Sequence, residues 1–188
     1  MVPQVLKPCS SITLLTLFTS LIRPIVEYCS VVWDPSKITD ISLLESIQRS
    51  ATAKISSLAH LNYWERIKEL NLFSLQRRRE RYTIMYMHKI LNHIVPNDIG
   101  VIFYFSPRFG MKAKLPPLPS VRNRLSTYDS SFSYQGPLLW NVLPCDLNTI
   151  TSFSCFKAAL NKFILNYPDH PPVTGYTTVN DNSLVNWV

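Results

Sequence analysis

The chain has 188 residues, 46% of them hydrophobic and only 16% charged, with 19 Lys and Arg against 12 Asp and Glu for a net charge of +7. Charge this sparse beside 12% aromatics excludes a disordered segment or a fully solvated coiled coil, and the length fits one globular core with appendages. Four glycines against 14 prolines argue against glycine-rich phosphate loops and for proline-punctuated connections.

Leu14, Phe18, Leu21, Ile25, Tyr28 and Val32 recur at steps of three and four, which draws one apolar stripe along a first helix. Pro24 should kink that helix and Asp34-Pro35 should end it. Lys7 followed by Ile12, Leu14, Leu15, Leu17, Phe18, Leu21 and Ile22 also has the outline of a secretory signal. However, Thr13, Thr16, Thr19 and Ser20 interrupt the run and no small-residue cleavage site follows, so the helical reading is preferred. No run reaches the roughly 20 apolar residues of a membrane span. Cys9, Cys29, Cys145 and Cys155 form no C-x-x-C pair, which fits a reduced intracellular protein, nuclear or cytoplasmic and not secreted.

A second helix is expected from Ile38 to Leu58, with Ile38, Ile41, Leu44, Ile47, Ala51, Ile55 and Leu58 inward, Gln48, Arg49 and Thr52 outward, and Ser42 and Glu45 at capping-box spacing. Asn62 should cap a short helix, Tyr63 to Leu70, with Glu65 at its third position and Trp64, Ile67 and Leu70 in the core. After a break at Asn71, a long helix from Ser74 to Ile94 carries its apolar stripe at Ile84, Met87, Leu91 and Ile94, and Pro96 closes it.

This long helix opens on Arg77, Arg78, Arg79 and Arg81 with only Glu80 among them. At 100° per residue the four point through most of a turn, so at least one should lie against the packing face. Arg49 to Arg124 holds 14 basic residues against four acidic ones, a local +10 that leaves −3 for the rest of the +7 chain. Tyr82, Tyr86, Phe103, Tyr104, Phe105 and Phe109 lie among these charges, placed either to stack on bases or to fill the core.

Residues 96–131 read as a proline-rich basic connector, with short strands at Val101 to Phe105 and Lys112 to Leu115 joined as a hairpin around Pro107 to Gly110. Residues 132–167 form an aromatic and helical unit: Phe132 to Leu143 contains Gly136-Pro137, and Phe153, Phe156, Ala159, Leu160, Phe163 and Ile164 give a helical stripe capped by Ser152. Residues 168–188 read as an extended tail that Tyr176, Leu184 and Trp187 can anchor, and residues 1–95 as the main helical region.

No catalytic constellation emerges. No two acidic residues are adjacent, which gives metal-dependent phosphoryl transfer no paired carboxylates. His88 and His93 are five apart, and His60 and His170 have no ligand-spaced neighbour. No nucleophile elbow occurs, and Cys29 and Cys155 on apolar helix faces read as inert. The expectation is a non-enzymatic chain with no cofactor, no metal and no small-molecule substrate.

Several blocks of sequence nevertheless carry a likeness. The stretch from Leu21 through Arg23-Pro24, Glu27-Tyr28 and Val32-Trp33 resembles the L-x-R-P-x-L-E-Y-x-x-x-V-W segment downstream of the palm in non-LTR retrotransposon reverse transcriptases of the jockey or CR1-like kind. Leu44-Glu45, Gln48-Arg49 and Ala51 resemble that family's L-E-x-x-Q-R-x-A. Further matches run from Tyr63 to Leu70, then at Leu72, Leu75, Arg77, Arg78 and Lys89 to Asn92. Arg124, Asp129, Phe132, Gly136-Pro137, Leu139-Trp140-Asn141 and Leu143-Pro144 are similar to its distal R-x-x-x-D-x-S-F…G-P-x-L-W-N-x-L-P block. Phe156-Lys157, Leu160, Pro168-Asp169, Gly175-Tyr176, Asn182 to Leu184 and Trp187 look like its C-terminus. The resemblance implies a mainly α, thumb-like helical bundle with a proline-rich connector, a short β-hairpin and a C-terminal helix, separated from the palm, fingers and endonuclease of such an enzyme. The polymerase's paired aspartates have no counterpart here, so its activity is not carried over.

Two roles are therefore expected. In the first, Arg49, Arg77, Arg78, Arg79, Arg81, Lys89, Arg122 and Arg124 hold the phosphate backbone of template RNA or an RNA–DNA hybrid. In the second, the chain is a structural or interaction module whose Leu14 to Val32 stripe packs on the polymerase palm or on a second copy.

Overall fold

A computed structural model describes residues 11–96, 104–105, 113–114, 131–173 and 182–186. The protein is mainly α-helical. Helix α1 (Ser11–Leu17) runs through a π turn at Phe18–Ile22 into α2 (Arg23–Glu27), followed by α3 (Ser30–Trp33), α4 (Ile38–Ala53), α5 (Tyr63–Glu69) and α6 (Leu75–Leu91). After a two-residue antiparallel ladder, β1 (Tyr104–Phe105) on β2 (Ala113–Lys114), come α7 (Phe132–Val142), α8 (Cys145–Asn148) and α9 (Phe153–Leu165), and a 3-10 turn at Leu184–Asn186. The hairpin's turn, Pro107 to Gly110, lies outside the described residues, as do Tyr176 and Trp187.

The first expected helix is broken into three. Pro24 has no N–H to donate and its ring would meet the carbonyl of Ser20, and the ladder widens there so that the Arg23 N–H reaches the Phe18 carbonyl. Cys29 then adopts a left-handed φ of 52°, which separates α2 from α3. Of the expected stripe, Phe18 is buried and Leu14 half-buried, while Leu21, Ile25, Tyr28 and Val32 face outward.

Helix α4 corrects the periodicity reading most sharply. Its buried face consists of Ile41, Glu45, Gln48 and Thr52, whereas Ile38, Leu43 and Ile47 are exposed. Glu45 is no capping residue. It accepts from the Tyr63 hydroxyl at 2.6 Å and the Gln76 N–H at 2.7 Å, and Gln48 donates to Tyr63 Oη and the Phe73 carbonyl, both at 3.1 Å. A hydrogen-bonded polar stripe can be buried when its partners come from other segments. The helix ends at Ala53, short of Leu58, which sits in a separate 3-10 turn.

Two helix starts match their sequence signals. Asn62 and Glu65 form a reciprocal capping box on α5, and Ser74 accepts from the Arg77 N–H to cap α6. Asn71 takes the left-handed conformation that ends α5, with φ of 51°. Helix α6 stops at Leu91, leaving Ile94 exposed, and α7 continues through Pro137 despite the missing donor.

The main core lies where α6, α7, α9 and the 3-10 turn meet, with Met87, Trp140, Phe156 and Leu160 almost fully buried and Leu184 closing it. Gly136 permits this approach, because a Cβ there would stand 2.9 Å from the Met87 sulfur. Core segments before residue 96 and after residue 131 thus share one apolar cluster. Truncating Trp140 to Ala should cost about 3–5 kcal/mol in urea denaturation, whereas Ile25→Ala, on the outward face, should stay within about 0.5 kcal/mol. Equal costs would contradict this placement of the core.

Candidate nucleic-acid interface

A helix built to grip phosphates must show its cations to solvent. Helix α6 turns most of them inward. Arg77 is 0% and Arg79 1% exposed, Arg81 is buried and Arg78 is half-buried. A guanidinium taken out of water costs several kcal/mol unless it is paired, so each needs a partner from elsewhere in the chain.

Those partners are present and come from distant segments. Arg78 binds both oxygens of Glu27 on α2, with Nη2 to Oε2 at 2.9 Å, and also donates to the Tyr82 hydroxyl at 2.8 Å. Burial opposes the Arg78 charge, but Glu27 outweighs it and raises the group above the usual arginine range. Arg79 Nε donates to Asp34 Oδ1 at 2.6 Å, just past α3. Burial raises the Asp34 carboxyl even against the pull of Arg79. Arg77 Nη2 donates to the carbonyls of Pro168 at 2.8 Å and Asn182 at 2.9 Å, with Glu80 and Asp169 carboxylates at 3.8 and 3.9 Å. Arg81 Nε donates to Asn161 Oδ1 at 2.7 Å on α9.

Acidic groups complete the arrangement. Asp169 accepts from the Ser74 N–H at 2.7 Å and hydroxyl at 2.6 Å, as well as from Asn182 at 2.9 Å. Glu80 accepts from the Leu184 N–H at 3.2 Å and so holds the 3-10 turn in the core. Burial pushes both Glu45 and Glu80 up to about 7, against the hydrogen bonds that favour their charged forms.

The remaining candidates are dispersed. Arg49 is half-buried on α4. Lys89 is half-buried with its ammonium 4.8 Å from the Phe153 ring. Arg122 and Arg124 lie outside the described residues. Tyr82 and Tyr86 are half-buried beside Arg78 and Phe132 respectively. Among the residues that sequence reasoning did not assign to this site, Glu27, Asp34 and Asp169 matter most, since each holds a group in the first turns of α6. His88, neutralised further by burial, meets the Ile150 carbonyl at 2.7 Å and stacks on Phe156 at 4.1 Å, a core role. Among the described residues no His, Cys, Asp or Glu group could hold a metal ion, and no helix is long and apolar enough to cross a membrane. No family model, curated protein or solved structure matches the chain.

The buried acids give a pH test. Their folded values near 7 lie above an unfolded value near 4.5, so their contribution is complete below about pH 4.5 and disappears as pH rises through about 7. The melting temperature should therefore fall by several degrees from pH 5.5 to pH 8, with up to about 3 kcal/mol at stake per group. Glu45→Gln should flatten that slope whatever it does to the absolute melting temperature, and an unchanged slope would contradict the burial of this carboxyl.

Proposed function

We propose that this chain is a post-palm, thumb-like and distal region of a non-LTR retrotransposon reverse transcriptase, and that its task is structural: to seat the helical region on the polymerase palm. The observation that carries this reading is the outward face of α2 and α3, where Ile25, Tyr28 and Val32 are 77%, 75% and 80% exposed, beside Leu21. An apolar stripe of this kind on a folded chain marks an interaction surface. The occupant follows from the resemblance, since these residues lie in the segment that in such enzymes comes directly after the palm.

The chemistry of the face is consistent with burial. Thr16 and Ser20 turn their hydroxyls onto the carbonyls of Ile12 and Thr16, at 2.9 and 2.7 Å, so they present little unsatisfied polarity. Fully covering one Leu, Ile or Val is worth about 1.5–3 kcal/mol before association costs. That sum is modest for two free proteins. It suffices within one polypeptide, where the effective concentration of a tethered domain reaches the millimolar range.

The grip on nucleic acid by the whole arginine cluster draws less support, because Arg77 and Arg79 are enclosed, Arg77 Nη2 on the Pro168 and Asn182 carbonyls and Arg79 Nε on Asp34. The docking reading is tested by titrating the full chain against a separately purified fingers–palm portion of a jockey- or CR1-like reverse transcriptase. Binding with a dissociation constant of tens of micromolar is expected, weakened at least tenfold by Leu21→Glu with Ile25→Glu and insensitive to salt. No binding, or equal binding by the double variant, would contradict it. Salt-resistant dimers that Ile25→Glu abolishes, without palm binding, would assign the face to a second copy instead.

A further inference from the structure

Between α2 and α6 opens a cavity of about 580 Å³, within the range of roughly 300–1,000 Å³ usual for ligand sites. Arg23, Tyr28, Arg78, Tyr86 and Lys89 line it, and Glu27 is the carboxylate on its wall. Both Glu27 oxygens are engaged, since Arg78 takes each of them and the Tyr82 hydroxyl donates to Oε2 at 3.1 Å.

Glu27 favours the charges of Arg23 and Arg81 only through space. Among the described residues no carboxylate lies within ion-pair distance of Arg23, Arg81 or Lys89. Burial, and then the nearby charge of Arg78, lowers Arg23 from the usual arginine range. Burial lowers Arg81 as well, with Arg78 adding its repulsion, and the Arg81 guanidinium stands 5.8 Å from the Tyr82 ring that backs the cavity. In the cavity lining one carboxylate thus serves three cations, Arg23, Arg78 and Lys89, an excess of two positive charges. Like charges held together in a partly desolvated wall repel strongly, and an anion in the cavity removes that cost. At the mouth, Tyr28 leaves a large aromatic ring uncovered.

We propose that this cavity binds a phosphodiester segment of single-stranded nucleic acid, with Arg23 and Lys89 on the phosphates and the Tyr28 ring under a base. Sequence-tolerant stacking beside backbone cations is the usual chemistry of single-strand binding. The site excludes the enclosed Arg77 and Arg79 and does not depend on the palm-docking role.

The experiment is fluorescence anisotropy of a 5′-labelled 12-nucleotide oligouridylate with the full chain, from 50 to 200 mM KCl. Saturable binding is expected to weaken roughly sevenfold across that range, from two phosphates at about −0.7 each for single strands. Arg23→Ala, Lys89→Ala and Tyr28→Ala should each weaken it fivefold or more, while the exposed controls Lys54→Ala and Lys68→Ala stay within twofold. Circular dichroism checks folding, and if Arg23→Ala unfolds, Lys89→Ala and Tyr28→Ala carry the test. The proposal is overturned by an absence of saturable binding, by losses no larger than those of the controls, or by equal affinity for a polyglutamate of matching charge, which has no ring to stack.

Discussion

Helix α6 carries guanidinium and carboxylate groups into the interior, and the rest of the chain has to supply their partners. Glu27 comes from α2, Asp34 from the end of α3, and Asp169 with the carbonyls of Pro168 and Asn182 from the segments after α9, while Glu45 of α4 takes the Gln76 backbone N–H. An unpaired buried ion costs more than most single apolar contacts return, so a misplaced segment is penalised twice, once for its own group and once for the arginine it abandons. These pairs therefore specify where each segment lies along α6. Apolar burial around Met87, Trp140 and Phe156 supplies the driving force.

This constraint redistributes function over the surface. Because Arg77 and Arg79 are enclosed by protein groups, the basic run does not form a continuous phosphate track along α6. What remains outside includes an apolar face on α2 and α3, and a cavity where, among the described residues, no carboxylate lies within ion-pair distance of Arg23 or Lys89. Tyr28 belongs to both features. A domain seated on Ile25 and Val32 would border the cavity, which gives a strand held there a second wall.

Local signals in the sequence were legible where the physics is local. The Asn62 cap with Glu65 at the third position, the break at Asn71, the start of the long helix at Ser74 and the α9 stripe each depend on residues within one or two turns, and all four appear in the structure, although the Ser152 side chain makes no cap hydrogen bond. The buried polar face of α4 was not legible, although Glu45, Gln48 and Thr52 are spaced at three and four like any helix stripe. Apolar periodicity assigns such residues to solvent, and their partners Tyr63, Phe73 and Gln76 lie 15 to 31 positions away. The helical wheel placed at least one arginine of the run against the packing face, but the burial of three was not legible, because Glu27, Asp34 and Asp169 stand too far along the chain to be recognised as counter-ions. Three of the acids that looked scattered are assembled by the fold at the start of α6, Glu27 on Arg78, Asp34 on Arg79 and Asp169 beside Arg77.

The account stands on α6 being held by ion pairs buried between segments, and the Arg79–Asp34 pair offers the most direct test. A double-mutant cycle of Arg79→Met and Asp34→Asn, followed by urea denaturation, isolates their interaction. Arg79→Met alone should cost about 3 kcal/mol by stranding Asp34, and the double variant should be less destabilised than the sum of the singles by about 2 kcal/mol or more. Costs that add within about 0.5 kcal/mol would contradict the pairing, and with it the role of α6 as the element around which the other segments are fixed.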